Sequence, residues 1–97
     1  MSGSPPRVIK KYPNRRLYDT VESRYITLAD IRRLVIERVK FVVIERDTQL
    51  PITRAILLQV ISEQEDQEGE PLMSEHFLEQ VIRSYGAPVQ RLVGNHL

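Results

Sequence analysis

The run Phe41-Val42-Val43-Ile44 is wholly apolar, β-branched at three of its positions, and closed on either side by the charges of Lys40 and Glu45. It is too short for a helix, and its lack of polar alternation predicts a strand buried on both faces at the centre of a sheet. A strand of that kind needs cover, so the rest of the chain must supply layers. Short β-like pieces and one helical stripe precede it, and two further helical stripes follow. The pattern predicts an α+β fold, with a short N-terminal β-meander and this buried strand packed against two helices, plus a C-terminal helix. A chain of 97 residues is long enough for one such core.

Residues 7–12 (RVIKKY) read as extended, and Pro13-Asn14 supplies turn chemistry, with Pro presetting φ and Asn tolerating the left-handed region. RRLYD (15–19) and RYIT (24–27) flank a polar 20–23 hairpin turn, giving a meander over 7–27. Alternation puts Leu17 with Arg15 and Asp19 on one face, and Arg16 with Tyr18 on the other, which is expected to stay wet and basic. Thr27-Leu28-Ala29-Asp30 matches a capping box, and Leu28, Ile31, Leu34 and Val35 continue it as a helix over about 28–37.

Residues 47–51 form a turn, after which Thr53 is expected to cap a helix to about residue 65 with the stripe Ile56, Leu57, Val60 and Ile61. Five acids between Glu63 and Glu70, with Gly69 and Pro71, mark a linker. Ser74 then caps a third helix whose stripe is Phe77, Leu78, Val81, Ile82 and Tyr85, ending near Gly86, and Val89, Leu92, Val93 and Leu97 begin another amphipathic turn. The expected organisation is a disordered leader (1–6), a domain over 7–66, an acidic, Pro-containing linker (67–73) and a C-terminal helical segment (74–97) for assembly.

The net charge of +1 conceals a split. Residues 7–40 hold ten Lys or Arg against four acids, whereas 41–97 hold four Arg against nine acids. One lobe is therefore suited to a polyanion. Lys10, Lys11, Arg15, Arg16 and Arg24 are candidates for phosphate, with Asn14 and one arginine available for base edges. A two-stranded ribbon fits the major groove, which makes duplex DNA the expected partner. Tyr12, Tyr18 and Tyr25 interleave with these cations, either stacking on bases or filling half-buried sheet positions. Arg32 and Arg33 either extend the basic surface or pair with Asp30 and Glu37. Thr53-Arg54, at a helix start, reads as an anion site or an ordinary cap.

Other classes fit poorly. Cysteine is absent and only His76 and His96 are histidines, so thiol chemistry and a protein-only zinc site are not expected, and no cofactor is implied. The four glycines form no phosphate-cradling loop, and no nucleophile motif is present, so the chain does not read as an enzyme. No apolar run reaches membrane-spanning length, and MSGSPP lacks a signal peptide's apolar centre, which together read as cytoplasmic. The stripes on the last two helices exceed what one small sheet covers, predicting a homo-oligomer, dimer or tetramer. Rival readings are a scaffolding module whose basic lobe docks acidic segments, or a binder of a phosphorylated second messenger.

The segments IKKYPNRRLYDT, SRYITLADIRRLV, FVVIERDTQLPITRAILLQVI and LMSEHFLEQVIRSYG, in that order over residues 8–86, resemble the polyhydroxyalkanoate synthesis repressor family. The resemblance implies a cytoplasmic transcriptional repressor that binds DNA through about residues 7–66, followed by a region associated with polymer granules. Arg38 stands near where the family usually has a glycine, and Gln49 and Pro51 replace its Gly and Asp before Thr53.

Overall fold

The computed structural model describes residues 5–67, 69 and 71–86. The expectations for the leader at 1–4 and for the stretch after Gly86 lie outside them. The described chain contains, in order, β1 (Arg7–Lys11), β2 (Leu17–Asp19), β3 (Arg24–Ile26), α1 (Leu28–Ile36), β4 (Phe41–Glu45), α2 (Thr53–Asp66) and α3 (Glu75–Gly86). It divides into two units, up to Gln64 and from Glu65 onward.

The α+β class is as expected, and β1, β2 and β3 form an antiparallel meander. The place of β4 is not as expected. It pairs in parallel with β1, giving the order β3-β2-β1-β4, so it is an edge strand and β1 and β2 are central. Only Val43 of β4 is fully buried. The apolar run is explained by how the free edge is sealed: the chain returns along it, with Ile52 N–H donating to Val43 O at 2.7 Å and Glu45 N–H to Leu50 O at 2.9 Å. Val43 N–H donates to Thr53 Oγ1 at 2.9 Å, so Thr53 ties α2 to this edge, where a helix cap was expected. An edge occupied by its own chain offers no template for aggregation.

Pleating sorts the side chains. Ile9, Leu17, Ile26 and Val43 point to one face and join Ile31 and Leu34 of α1 and Ile56 of α2 in one buried cluster, with Leu28, Val39, Phe41, Ile52, Leu57 and Val60 around it. Both helices therefore cover the same face. Val8, Lys10, Tyr18, Tyr25, Val42 and Ile44 alternate to the other face, and no described helix of this unit covers it.

Local chemistry fixes α1. Thr27 and Asp30 form the expected capping box, with Thr27 N–H donating to Asp30 Oδ2 at 2.9 Å. The C-terminus closes with Val39 N–H on Leu34 O and Arg38 N–H on Val35 O, while Arg38 takes a left-handed φ of 62°. This is a Schellman ending, with the Val39–Leu34 apolar contact that accompanies it. A left-handed φ of this kind is one that glycine adopts without strain. Gln49 also has a left-handed φ, 64°.

In the second unit, Ser74 Oγ accepts from Phe77 N–H at 3.0 Å at the start of α3. Glu65 before it is not merely solvated, since its carboxylate accepts from the N–H groups of Leu72 and Met73. No residue of α3 is buried within its own unit. Gly86 is the last residue of α3 and has no positive φ.

Candidate nucleic-acid interface

The uncovered face carries a row that crosses the sheet: Tyr25 lies opposite Tyr18, Tyr18 opposite Lys10, and Lys10 opposite Ile44. Tyr12, one residue beyond β1, completes a triangle of edge-to-face rings, with centroids 6.3 Å apart for Tyr12–Tyr18, 6.0 Å for Tyr12–Tyr25 and 5.2 Å for Tyr18–Tyr25. Such pairs contribute about 0.5–1.5 kcal/mol each beyond area burial. Arginines cap the group at two points. The Arg16 guanidinium lies 3.9 Å above the Tyr25 ring, and that of Arg46 lies 4.8 Å above Tyr12. The tyrosines thus pack against one another and carry the two guanidinium groups.

The turn that leads onto this face is built by Asn14 and Arg15. Asn14 Oδ1 accepts from Arg16 N–H at 3.1 Å, and Tyr12 and Arg16 close the loop through Tyr12 N–H to Arg16 O at 2.8 Å. Arg15, not Asn14, takes the left-handed conformation, with φ 69°. β2 consequently starts at Leu17, and Arg15 projects from an exposed turn instead of sharing the face of Leu17. The Asn14 carbonyl oxygen serves the turn, which leaves its amide N–H groups for other partners.

Other expected site residues lie elsewhere. Lys11 alternates to the helix-covered face, opposite Leu17 and Glu45. Arg24 and Arg33 line a cleft of about 180 Å³ on that same side, together with Arg7, Asp19, Glu22 and Asp30. Carboxylates occupy all three arginines there. Arg24 Nε donates to Glu22 at 2.8 Å, Arg33 pairs with Asp30 at 3.1 Å, and Arg7 pairs with buried Asp19 at 3.0 Å. The hydrogen bond to Glu22 raises the Arg24 pKa still further, and the Thr27 backbone N–H holds the Asp30 carboxyl below its ordinary value. Arg32 is exposed on α1.

The structure thus brings together Lys10, Tyr12, Arg16 and Tyr18, with Arg15 on the adjoining turn, and separates them from Lys11, Arg24 and Arg33. Tyr25 stands among them as expected for an interleaved tyrosine, and the structure adds Arg46. Arg46 was hidden because its position depends on the parallel register: Arg46 N–H donates to Lys11 O at 2.9 Å, carrying the β1–β4 ladder past the strand and up to Tyr12. The meander is not a free two-stranded ribbon, since β1 is paired on both sides. Three strand spacings of about 4.8 Å make the sheet about 14 Å across, too wide to lie flat in a major groove of about 12 Å.

Among the described residues no cluster of His, Cys, Asp or Glu could hold a metal ion, and no helix is long and apolar enough to cross a membrane.

The family model described as the PHB/PHA accumulation regulator DNA-binding domain matches residues 8–68. The chain belongs to this family. The accumulation-regulator match takes in all of the sheet but Arg7, with α1 and α2, so the open face lies inside it. Membership points to a DNA-binding regulator and away from an enzyme. The chain is 53% identical over 91 residues to a Thiocystis violacea protein titled "Uncharacterized protein in phbA 5'region", and 52% identical over 91 residues to an uncharacterized protein of Allochromatium vinosum. Each match takes in 94% of this chain, which spans 65% of the first relative's length and 59% of the second's. No solved structure matches.

Proposed function

We propose that this accumulation-regulator domain grips duplex DNA with its open sheet face and the 12–16 turn, and that the protein is a sequence-specific transcription repressor. The observation that carries the reading is the sorting of cations. Lys10, Arg15 and Arg16 have no carboxylate partner among the described residues, and they surround tyrosines on the face that the helices leave bare. Because the full sheet is too wide for the groove, the turn and the β2–β3 hairpin enter it while Lys10 meets the backbone. Genes of polyhydroxyalkanoate synthesis and granules are the proposed targets, supported by the family description and by the relative whose title places it in the phbA 5' region. The protein acts in the cytoplasm as a homo-oligomer, dimer or tetramer, with α3 serving assembly or polymer contact. That arrangement presents two faces to a two-fold operator.

A salt titration tests the reading. With Lys10, Arg15 and Arg16 each on a phosphate, these three contribute about −2.7 to the slope of log K against log[salt] for each domain. A flat titration, or failure to retain any duplex from a random pool at low salt, defeats it.

A further inference from the structure

We propose that Arg46 is a second stacked guanidinium of the DNA interface, and that Asp47 is its built-in competitor, a carboxylate occupying the place of a DNA phosphate. The inference rests on the reading of the open sheet face as the DNA site. Arg16 and Arg46 are alike in one respect, since each lies over a tyrosine of the same triangle, Tyr25 and Tyr12. A guanidinium laid on a ring has its plane already fixed. Its N–H donors point outward in that plane, so gripping a two-oxygen acceptor costs little further side-chain order.

The two differ in what faces those donors. Arg16 has no ion-pair partner among the described residues, whereas Arg46 reaches Asp47 Oδ1 with Nε at 3.0 Å and with Nη2 at 2.9 Å. Both side chains of this pair are about half exposed, at 46% and 56%, where an ion pair contributes little to folding. Nor does the turn need the Asp47 carboxylate. The turn is closed by Gln49 N–H on Glu45 O, Gln49 Nε2 on Arg46 O, and Thr48 Oγ1 on Glu45.

A backbone phosphodiester offers the same kind of two-oxygen acceptor, and the summed charge of its neighbours on the duplex lets it displace Asp47 when DNA docks. The exchange of one anion for another gains less than the capture of an unpaired cation. Asp47 therefore lowers the affinity of the whole face and keeps Arg46 from holding stray anions.

The test uses the full chain, with duplex affinity read by fluorescence anisotropy for Asp47→Asn, Arg46→Ala and the double variant. Asp47→Asn is expected to tighten binding about two- to five-fold, the range that release of a surface ion pair gives. Arg46→Ala weakens binding and makes the salt slope shallower by about 0.9. In the Arg46→Ala background, Asp47→Asn loses its effect. If the gain persists undiminished there, it is a long-range charge effect and the assignment of Asp47 is overturned. If Arg46→Ala binds as wild type does, the inference fails while the sheet-face reading stands. If wild type itself retains no duplex, the proposed function fails first. Neither side chain holds the turn, so Asp47→Asn should unfold at the wild-type urea midpoint and Arg46→Ala only slightly below it, through loss of the Tyr12 contact.

Discussion

The two faces of one sheet use arginine in opposite ways. On the helix-covered side, Arg7, Arg24 and Arg33 each end on a carboxylate, and Asp19 at their centre is buried with its oxygens occupied by Arg7 and by the N–H groups of Val21 and Glu22. On the open side, Arg16 rests on a ring with no acid beside it. Charge neutralised against a buried carboxylate, as at Arg7 and Asp19, builds structure, whereas unpaired charge parked on an aromatic surface, as at Arg16, remains available to a partner. Lobe-wide counting of cations cannot make this distinction, because both kinds lie in the same basic third of the chain.

The comparison breaks most visibly at Asp19. Asp19→Ala removes an acceptor of three hydrogen bonds and leaves the half-buried Arg7 guanidinium with only its longer contact to Glu22, at 4.0 Å. A loss of about 3 kcal/mol in urea unfolding is expected, the usual consequence of removing one partner of a buried pair. Duplex affinity of the fraction still folded should hold. Arg16→Ala is its mirror image. Stability should change by under about 1 kcal/mol, whereas duplex affinity falls by about tenfold and the salt slope becomes shallower by about 0.9. Arg24→Ala should behave as an inner-face change and leave the slope alone. If Arg24→Ala and Arg16→Ala affect the slope equally, the division between the faces does not govern binding.

How much of this was legible follows from the range of each interaction. Helix α1 could be read outright because its cap is a contact between Thr27 and Asp30, three residues apart, and its core stripe repeats within two turns. Alternation alone placed Arg16 with Tyr18. The fate of Arg24 was also within reach, since Glu22 lies two residues before it across the turn. The edge position of β4 was not, because a parallel pairing across some thirty residues leaves no periodic trace, and an apolar run looks the same whether a strand or a returning loop covers its second side. Arg46 was lost for the same reason. Its partner Tyr12 is chosen by register, and register is a property of the assembled sheet.

The turns give a smaller effect of a different origin. Arg38 and Gln49 hold left-handed backbone at φ 62° and 64°, which costs a residue with a Cβ about 1–2 kcal/mol relative to the right-handed region. Glycine removes that strain and gives back part of the gain through the entropy of the unfolded chain. Arg38→Gly is therefore expected to stabilise by about 0.5–1 kcal/mol in urea unfolding. Because Arg38 stands outside the tyrosine triangle, duplex affinity should not move. A loss of stability would mean that the Arg38 side chain, and not only its backbone, supports the end of α1.

The smallest effect expected is electrostatic and belongs to the inner side. The Thr27 backbone N–H, with help from the Thr27 hydroxyl and from Arg33, holds the Asp30 carboxyl below its ordinary value. A carboxyl depressed in the folded state stabilises the fold at every pH above its unfolded value, near 3.9, and that contribution disappears as pH falls through the folded value. The loss belongs to the acid limb below about pH 4, and the neutral range should be flat with respect to this group. Asp30→Asn keeps a side-chain acceptor near Thr27 but cannot titrate, so it should lower stability at pH 7 by about 0.5–1 kcal/mol, the scale of a helix cap. The gap to wild type should then narrow as pH drops below about 4. A gap that stays constant from pH 7 to pH 3 would show that the cap acts through hydrogen-bond geometry alone. The Arg33–Asp30 pair would then count as surface charge, like the exposed pairs elsewhere on the molecule.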